Sequence, residues 1–471
     1  MKHMRTYFTR LCITFLGLSL ATVALGQASG GEGAPPAPPQ PEPAPIVQVV
    51  ITKTLANGVT VKKQSIPGVH ETAVLVQFNW GDRYDPADGA GLSQLLIDMV
   101  AMAPLDNDES SILTPELLDK KYPLGWVARS HPEHSVLAYV VPFDHLEEQL
   151  TATVNRITHA QFTSELIDQG IERMRGDIDR RFRKEVQLTP MSWIEAKAFR
   201  HVSHPHYGIS PDKLAKLSGD RLRKEWAVRS DPRSITVFLV GNLGGDESVL
   251  DEMIDQSFAT IEKPSDAVSD LRVTVHAEKG QDRRRRIIVD RVPGDRENVV
   301  VAFYSPSLLS PDHPAFLAVA EDFMKSALKM PGAQARVPFQ YSLLLDSRAA
   351  YLTPHVWRFP KGAGQALGYW TVKIRNRKFS NTDGRLTLRR LGWQLGAPLS
   401  GSFVEAVNAQ PALLYTIAYA TAVREDAGDT ELWESYRNKL KMLKKDDLAA
   451  ARDEYFTDKN EAIFVLTPRE E

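Results

Sequence analysis

FNWGDRYDPADGAGLSQLLIDMV (Phe78–Val100) is the stretch that decides the fold, because it joins two different hydrophobic periods through a polar loop. The β-branched and aromatic run Thr72–Trp80, which leads into it, predicts a strand. After the loop, the apolar spacing of Leu92–Ala103 predicts a helix. The loop itself carries the pair Asp85-Pro86, which is typical of a turn. We therefore expect a strand, a polar loop and a helix in that order.

Patterns of the same two kinds alternate through the neighbouring sequence. β-Branched runs predict further strands at Val47–Thr54, Thr60–Gln64 and Ser135–Val141. Helical apolar spacing predicts helices at Pro115–Lys121, Phe143–Ile157, Glu165 to about Val186, and Ser192–His201. A chain that mixes antiparallel-type strands with helices in this way is predicted to have an α+β fold.

An internal repeat indicates that the fold is duplicated. LSGDRLRKEWAVRSDPRSITVFLVG begins at Leu217, and LKKDDLAAARDEYFTDKNEAIFVLTP begins 226 residues later at Leu443. The same shift places the strand pattern Val237–Val240 on Ile463–Leu466 without a gap. We therefore predict two homologous domains, an N-terminal one at 47–265 and a C-terminal one at 283–471. The basic run Arg283–Arg286 at the boundary is interpreted as a solvated linker, with an anion site as the alternative.

The N-terminus has the pattern of an exported protein. Residues 1–26 combine a basic start with an apolar run from Leu11 to Leu25 and small residues at the end, which predicts a signal peptide, with an uncleaved anchor as the alternative. Residues 27–46 are rich in Pro, Ala and Gly and are predicted to be an extended linker. The single cysteine, Cys12, lies inside the signal segment, so the mature chain has no thiol ligand or nucleophile. These features predict a secreted or periplasmic protein without a membrane span after cleavage.

Composition excludes one broad class of partner. Among the 471 residues, 57 Lys plus Arg stand against 59 Asp plus Glu, which gives a net charge of −2. Such a balance provides no general attraction to nucleic acid or to an anionic membrane surface, so neither is expected as a partner.

The order of the motifs resembles the insulinase/pitrilysin family of metallopeptidases. LANGVTVKKQSIPG (Leu55–Gly68) looks like the opening strand pair of that family, and Phe78–Val100 looks like the segment that carries its active site. AFRHVSHPHYGISPDKLAKLSGDRL (Ala198–Leu222) is similar to the segment before the last helix and strand of the first domain. The resemblance implies two homologous αβ domains of the mitochondrial processing peptidase-like type.

The zinc box of active relatives, His-x-x-Glu-His, is absent. Aligning on Gly91-Leu92 places Gln94 and Asp98 at the two histidines and Ile97 at the glutamate that activates water. A neutral amide is a poor zinc ligand, and an isoleucine cannot accept a proton. The resemblance puts the third ligand on the later long helix at Arg175–Asp179, where Asp177, Asp179 and Arg175 are the open alternatives. We therefore expect a catalytically degenerate chain with no zinc and no other cofactor.

The resemblance also implies one substrate-binding residue in the second half. SLLLDSRAAYLTPHVW (Ser342–Trp357) resembles the stretch that supplies an arginine and a tyrosine to active complexes, with Tyr351 at the tyrosine. The arginine position falls on Leu344, and Arg348 is off by four residues. An ordinary strand aromatic is the alternative interpretation of Tyr351.

Two histidine groups are candidates for a replacement metal site. His131, Glu133 and His134 precede a strand, and in an extended chain the two imidazoles would point to opposite faces, which argues against a shared ion. His201, His204 and His206 form the densest histidine group in the sequence. A solvated loop and a packing loop are the respective alternatives.

Three functional hypotheses remain. The leading one is a non-catalytic subunit or scaffold that holds an extended peptide or unfolded polypeptide beside an active insulinase-like zinc peptidase. The second is a stand-alone peptide-binding or structural protein of the cell envelope. The third is an active metallopeptidase with a relocated site.

Overall fold

The computed structural model describes most of the chain. The described residues are 45–86, 89–104, 112–131, 133–160, 162–180, 211–262, 285–292, 298–304, 306, 310–327, 333–336, 351–356, 376–427, 430–457 and 460–468. The predicted signal peptide, nearly all of the linker, the predicted helix Ser192–His201 and the histidine group His201–His206 lie outside them.

The first half is built on a six-stranded sheet. Its strands are β1 (Ile51–Thr54), β2 (Thr60–Ser65), β3 (Glu71–Phe78), β4 (Trp126–Ser130), β5 (Ser135–Pro142) and β6 (Ile235–Gly241). They lie in the order β1-β2-β6-β3-β5-β4. β2 and β6 pair in parallel, and every other described pair in this sheet is antiparallel.

Seven helices accompany this sheet among the described residues. They are α1 (Leu92–Met102), α2 (Pro115–Lys121), α3 (Leu146–His159), α4 (Ser164–Asp179), α5 (Pro211–Leu214), α6 (Gly219–Arg229) and α7 (Glu247–Phe258). Side-chain caps start three of them. Thr163 Oγ1 accepts the Leu166 N–H, Ser218 Oγ accepts the Arg221 N–H, and Asp246 accepts the Ser248 N–H. The apolar faces of α1, α3, α4, α6 and α7 share one core with one face of the sheet.

The second half repeats this arrangement with five strands. They are β7 (Arg285–Val292), β8 (Asn298–Tyr304), β9 (Ala333–Arg336), β10 (Tyr351–Val356) and β11 (Glu461–Pro468), in the order β7-β11-β8-β10-β9. The described helices are α8 (His313–Ala327), α9 (Asp383–Leu391), α10 (Gly401–Ala409), α11 (Leu413–Ala427), α12 (Thr430–Met442) and α13 (Lys445–Tyr455).

The two sheets have the same topology once β1 is set aside. The parallel pair β2–β6 corresponds to the parallel pair β7–β11, and the antiparallel pair β3–β6 corresponds to β8–β11. Helix α6 begins at Gly219 and α13 begins at Lys445, which is the 226-residue offset of the sequence repeat. The predicted α+β class with two similar αβ units is confirmed.

The first sheet is covered on both faces because its central strands are apolar on both. Val74 and Val76 of β3 belong to the core shared with α1, whereas Ala73 and Leu75 face a second apolar cluster. That second cluster is completed by α11 from the other half of the chain, through residues such as Ile417. Period-two alternation therefore separates two cores, and residues of the second half complete one of them.

Two sequence predictions differ from the structure in detail, and a third is covered only in part. Ile46, assigned to the linker, forms a bridge with Leu399, because its apolar side chain packs beside the cluster under α11. Arg285 and Arg286, assigned to a solvated boundary run, lie in β7 and pair with β11. The long helix predicted from Glu165 to about Val186 is α4, which begins at Ser164, and the predicted end of the helix lies outside the described residues. Within the described ranges, no helix is both long and apolar enough to cross a membrane.

Candidate functional site

Helix α1, which carries the box positions, is capped by a carboxylate from the loop that precedes it. Asp85 accepts the backbone N–H groups of Gly91, at 2.8 Å, and Ser93, at 2.9 Å. It also accepts the hydroxyl of Ser93 at 2.6 Å. These bonds satisfy donors that the first turn of α1 leaves without helical partners, and a negative group there is favoured by the helix dipole. The polar loop thus fixes the start and direction of α1.

A buried arginine holds the cap in place. Arg229, 1% exposed, donates to Ser93 Oγ at 2.9 Å and to the Tyr84 carbonyl at 3.1 Å. Its guanidinium lies 5.1 Å from the centre of the Trp80 ring. Burial and the carboxylate of Asp82 raise the pKa of Asp85 to about 7, while Arg229 and Ser93 oppose that rise. The contacts of Arg229 thus tie Ser93, in the first turn of α1, to the loop that contains Tyr84.

Gln94, at the first histidine position, is engaged with the backbone of β4. Its Oε1 accepts the Ser130 N–H at 2.9 Å, and its Nε2 donates to the Ala128 carbonyl at 3.4 Å. Both ends of the amide therefore have protein partners on the same strand.

Asp98, at the second histidine position, is paired with a cation. Its Oδ1 lies 2.8 Å from Nε of Arg173, which comes from α4. The Arg173 guanidinium also lies 4.6 Å from the centre of the Trp126 ring. Burial raises the pKa of Asp98 to about 6, against the opposing effects of Arg173 and Gln94, and the charge of Asp177 adds to the rise.

Ile97, at the position of the catalytic glutamate, belongs to the apolar core. It has no exposed surface and packs with residues such as Leu96 and Val100 of the same helix. Its hydrocarbon side chain cannot accept a proton from water.

These side chains do not fit zinc. Zinc sites in proteins use imidazole, thiolate or carboxylate ligands, and the charge of those ligands is not already neutralised by a protein cation. Here the amide of Gln94 is bonded to backbone, and the carboxylate of Asp98 is neutralised by Arg173. A divalent cation at this place would be repelled by the guanidinium. At Asp98, one of the positions where the loss of the box is predicted, the structure has an internal ion pair with Arg173.

The sequence missed Arg173. The third ligand was expected at Arg175–Asp179, but Arg175 faces away and pairs with the exposed carboxylate of Asp212 at 2.8 Å. Asp177 lies one helical turn after Arg173 and acts on Asp98 only through its charge. The spacing of Arg173 and Asp177, four residues apart on the helix opposite the box, was the available signal.

The expectation for His131 and His134 was wrong in its geometry. The His131 N–H donates to the His134 carbonyl at 2.8 Å, so the two residues face each other across the end of the β4–β5 hairpin. Their rings lie 4.9 Å apart, on the same side, and both contact Tyr419 of α11. Burial lowers the pKa of His134 to about 4, which keeps it neutral at physiological pH. The pair packs between the halves of the chain, and no group of three possible metal ligands occurs within the part of the chain that is described.

Tyr351 lies at the start of β10, where its backbone pairs with Tyr304 of β8. Leu344 and Arg348, the candidates for the accompanying arginine position, lie outside the described residues. The substrate-binding role expected for Tyr351 stays a prediction.

Comparison with known proteins identifies the fold. No family model and no curated protein matches the sequence. A protease from Helicobacter pylori matches with a TM-score of 0.70 at 15% identity, over 90% of this chain and 100% of that chain. A peptidase M16 inactive domain from Pseudomonas fluorescens matches with a TM-score of 0.63 at 11% identity, over 90% of this chain and 98% of that chain. The periplasmic protease PqqL from Escherichia coli matches with a TM-score of 0.64 at 14% identity, over 90% of this chain but 48% of that chain, so this chain spans about half its length.

Proposed function

We propose that this chain, whose fold is that of the M16-like, insulinase-type peptidases, is a non-catalytic homologue that holds extended polypeptide beside an active zinc peptidase. The observation that carries the proposal is the Asp98–Arg173 ion pair at the place of the zinc box. The positive charge of Arg173 takes the place there of the positive charge of zinc. The chain thus has the peptidase fold without the groups for zinc-dependent hydrolysis.

Hydrolysis by the mechanism of the active relatives needs three things at this place. It needs imidazole ligands for zinc, a metal-bound water, and a proton acceptor for that water. Gln94, Ile97 and Asp98 provide none of these, because one is bonded to backbone, one is hydrocarbon and one is paired with a guanidinium. A role that requires no bond cleavage by this chain is therefore favoured.

Two of the matched structures support a subunit role. The Escherichia coli protease is about twice as long as the region matched here, so it has room for a second unit of this size. The Pseudomonas fluorescens chain, described as an inactive domain, is matched almost in full. A second chain with an intact box would supply the catalytic half, and this chain would supply an enclosing surface.

The place of action that we propose is the cell envelope. The basic and apolar segment at residues 1–26 has the pattern of a signal peptide, and the mature sequence contains no cysteine. The structurally similar protein from Escherichia coli is a periplasmic protease, which is consistent with that location.

The test combines metal analysis with a search for the partner. We expect the purified chain to contain no stoichiometric zinc and to leave an unfolded polypeptide such as β-casein uncleaved. We expect it to bind β-casein and to co-purify with a homologue that has an intact His-x-x-Glu-His box. Binding of β-casein without any such homologue would favour the stand-alone role. Stoichiometric zinc together with cleavage that a chelator abolishes would overturn the non-catalytic proposal.

A further inference from the structure

The outer strand of the first sheet presents a row of backbone groups beside the degenerate box. β4 pairs with β5 on one side and is the outermost strand in the described sheet. Gly125 and His131, just outside the strand, bond to the β5 side through Val140 and His134. Antiparallel alternation therefore turns the N–H and C=O groups of Trp126, Ala128 and Ser130 outward.

Gln94 occupies part of that row. Its side-chain amide accepts the Ser130 N–H and donates to the Ala128 carbonyl, so it takes up one outward donor and one outward acceptor. A neighbouring strand would use the same two backbone groups for its own N–H and C=O. The amide of Gln94 thus stands in for one peptide group of an added strand.

The part of the strand near Trp126 is held differently. The indole Nε1 of Trp126 donates to Asp119 at 2.9 Å, and the guanidinium of Arg173 lies over the ring. These contacts engage the side chain of Trp126, whereas Gln94 engages the backbone of Ala128 and Ser130.

We propose that Gln94 sets the register of polypeptide binding by closing the edge of β4 between Ala128 and Ser130. An extended polypeptide then adds to β4 through Trp126 and not through Ser130. The inference rests on the proposed function, because it specifies where the held polypeptide pairs. The ligand is recognised by its backbone, as in other cases of strand addition to a sheet edge.

The test is residue-resolved hydrogen exchange on the full chain, with β-casein as the probe. In the wild-type protein without casein, Ser130 is expected to be protected by Gln94, and casein is expected to add protection at Trp126. In Gln94→Ala, and in the better-packing Gln94→Met, Ser130 is expected to exchange at least tenfold faster without casein. Casein should then restore protection at Ser130 and bind about three- to tenfold more tightly, because two edge groups become available. Gln256→Ala is the matched control, since that glutamine bonds Glu252 on the exposed face of α7.

The outcomes separate this inference from the proposed function. Equal exchange of Ser130 in the wild type and both Gln94 variants would overturn the inference. So would casein binding that protects neither Trp126 in the wild type nor Ser130 in the variants. If casein binds to none of the proteins while Ser130 exchange still responds to Gln94, the contact is real and the proposed polypeptide-holding function fails.

Discussion

The carboxylate of Asp98 and the guanidinium of Arg173 lie 2.8 Å apart across the contact between α1 and α4. Asp98 is 2% exposed, so its charge has almost no water to stabilise it. The resemblance predicts a zinc-ligand position at Asp98, and α4 brings a positive side chain to the same point. The ion pair therefore lies where that prediction places a contact between ligand and metal.

Removing Arg173 should destabilise the fold, because it leaves a buried carboxylate without its cation. For Arg173→Ala we expect a loss of about 3 kcal/mol in the free energy of unfolding at pH 7, measured by urea denaturation. Replacing both partners, in Asp98→Leu with Arg173→Met, should recover most of that loss. Arg175→Ala is the control, since its partner Asp212 is exposed and little change is expected. Equal losses for Arg173→Ala and Arg175→Ala would contradict the importance of the buried pair.

Asp98 should also make the stability depend on pH in a defined direction. Its pKa in the folded protein is about 6, above its ordinary value of 3.8, so folding favours the protonated form. That contribution is fully present below about pH 4 and is lost as the pH rises to about 6, which amounts to about 3 kcal/mol. The free energy of unfolding of the wild type minus that of Asp98→Asn should fall by this amount between pH 4 and pH 7. A difference that is constant or rises with pH would show that folding does not raise the pKa of Asp98.

Much of the fold follows from local sequence patterns. The helix Leu92–Ala103 was predicted within one residue of α1, and Pro115–Lys121 coincides with α2. Such elements are determined by hydrophobic periodicity and by turn residues, which act over short distances along the sequence. The placement of Gln94 and Asp98 on one side of α1 follows from the helical repeat alone.

What the sequence did not reveal are contacts between distant elements. The choice of Arg173 over Arg175 depends on how α4 is rotated against α1, and two residues shift a side chain by about half a turn. The meeting of His131 and His134 depends on the tight end of a hairpin, where strand alternation does not apply. The covering of the first sheet by α11 depends on packing between residues more than 300 positions apart, such as Leu75 and Ile417.

Rebuilding a metal site should require removal of Arg173. We expect Gln94→His with Asp98→His to bind zinc weakly while the guanidinium stays nearby. Adding Arg173→Glu supplies an oxygen ligand in place of the repelling charge and should raise the zinc affinity at least tenfold, measured by competition with a chelator. Arg173→Glu alone is the control. The same zinc affinity with and without Arg173 would place the guanidinium outside the reach of the rebuilt site.

The contact of α11 with the first sheet should couple the two halves. Ile417 is fully buried against that sheet, so Ile417→Ala is expected to cost about 2–4 kcal/mol in the free energy of unfolding. Because the cluster belongs to both halves, the tryptophan fluorescence of the first half should report the loss along with far-ultraviolet circular dichroism. Leu386→Ala on α9 is the control, since Leu386 is 39% exposed and its truncation should have a small effect. Separate transitions, with the first half unchanged in Ile417→Ala, would disprove the coupling.

The end of β6 should tolerate only glycine, because the neighbouring strand β3 leaves no room for a side chain there. Gly241 has a φ of +121°, and a Cβ built on it would overlap the carbonyl oxygen of Glu71. That carbonyl cannot easily retreat, because it also accepts the N–H of Asn242 at 2.8 Å. Gly241→Ala therefore combines an unfavourable backbone angle with a backbone clash, and we expect it to cost about 2–4 kcal/mol in urea denaturation. Gly245→Ala is the matched control, since a Cβ there has nothing within 4 Å, and it should change the stability by less than about 0.5 kcal/mol. If Gly241→Ala were as stable as Gly245→Ala, the close approach of β3 and β6 at this point would have to be wrong.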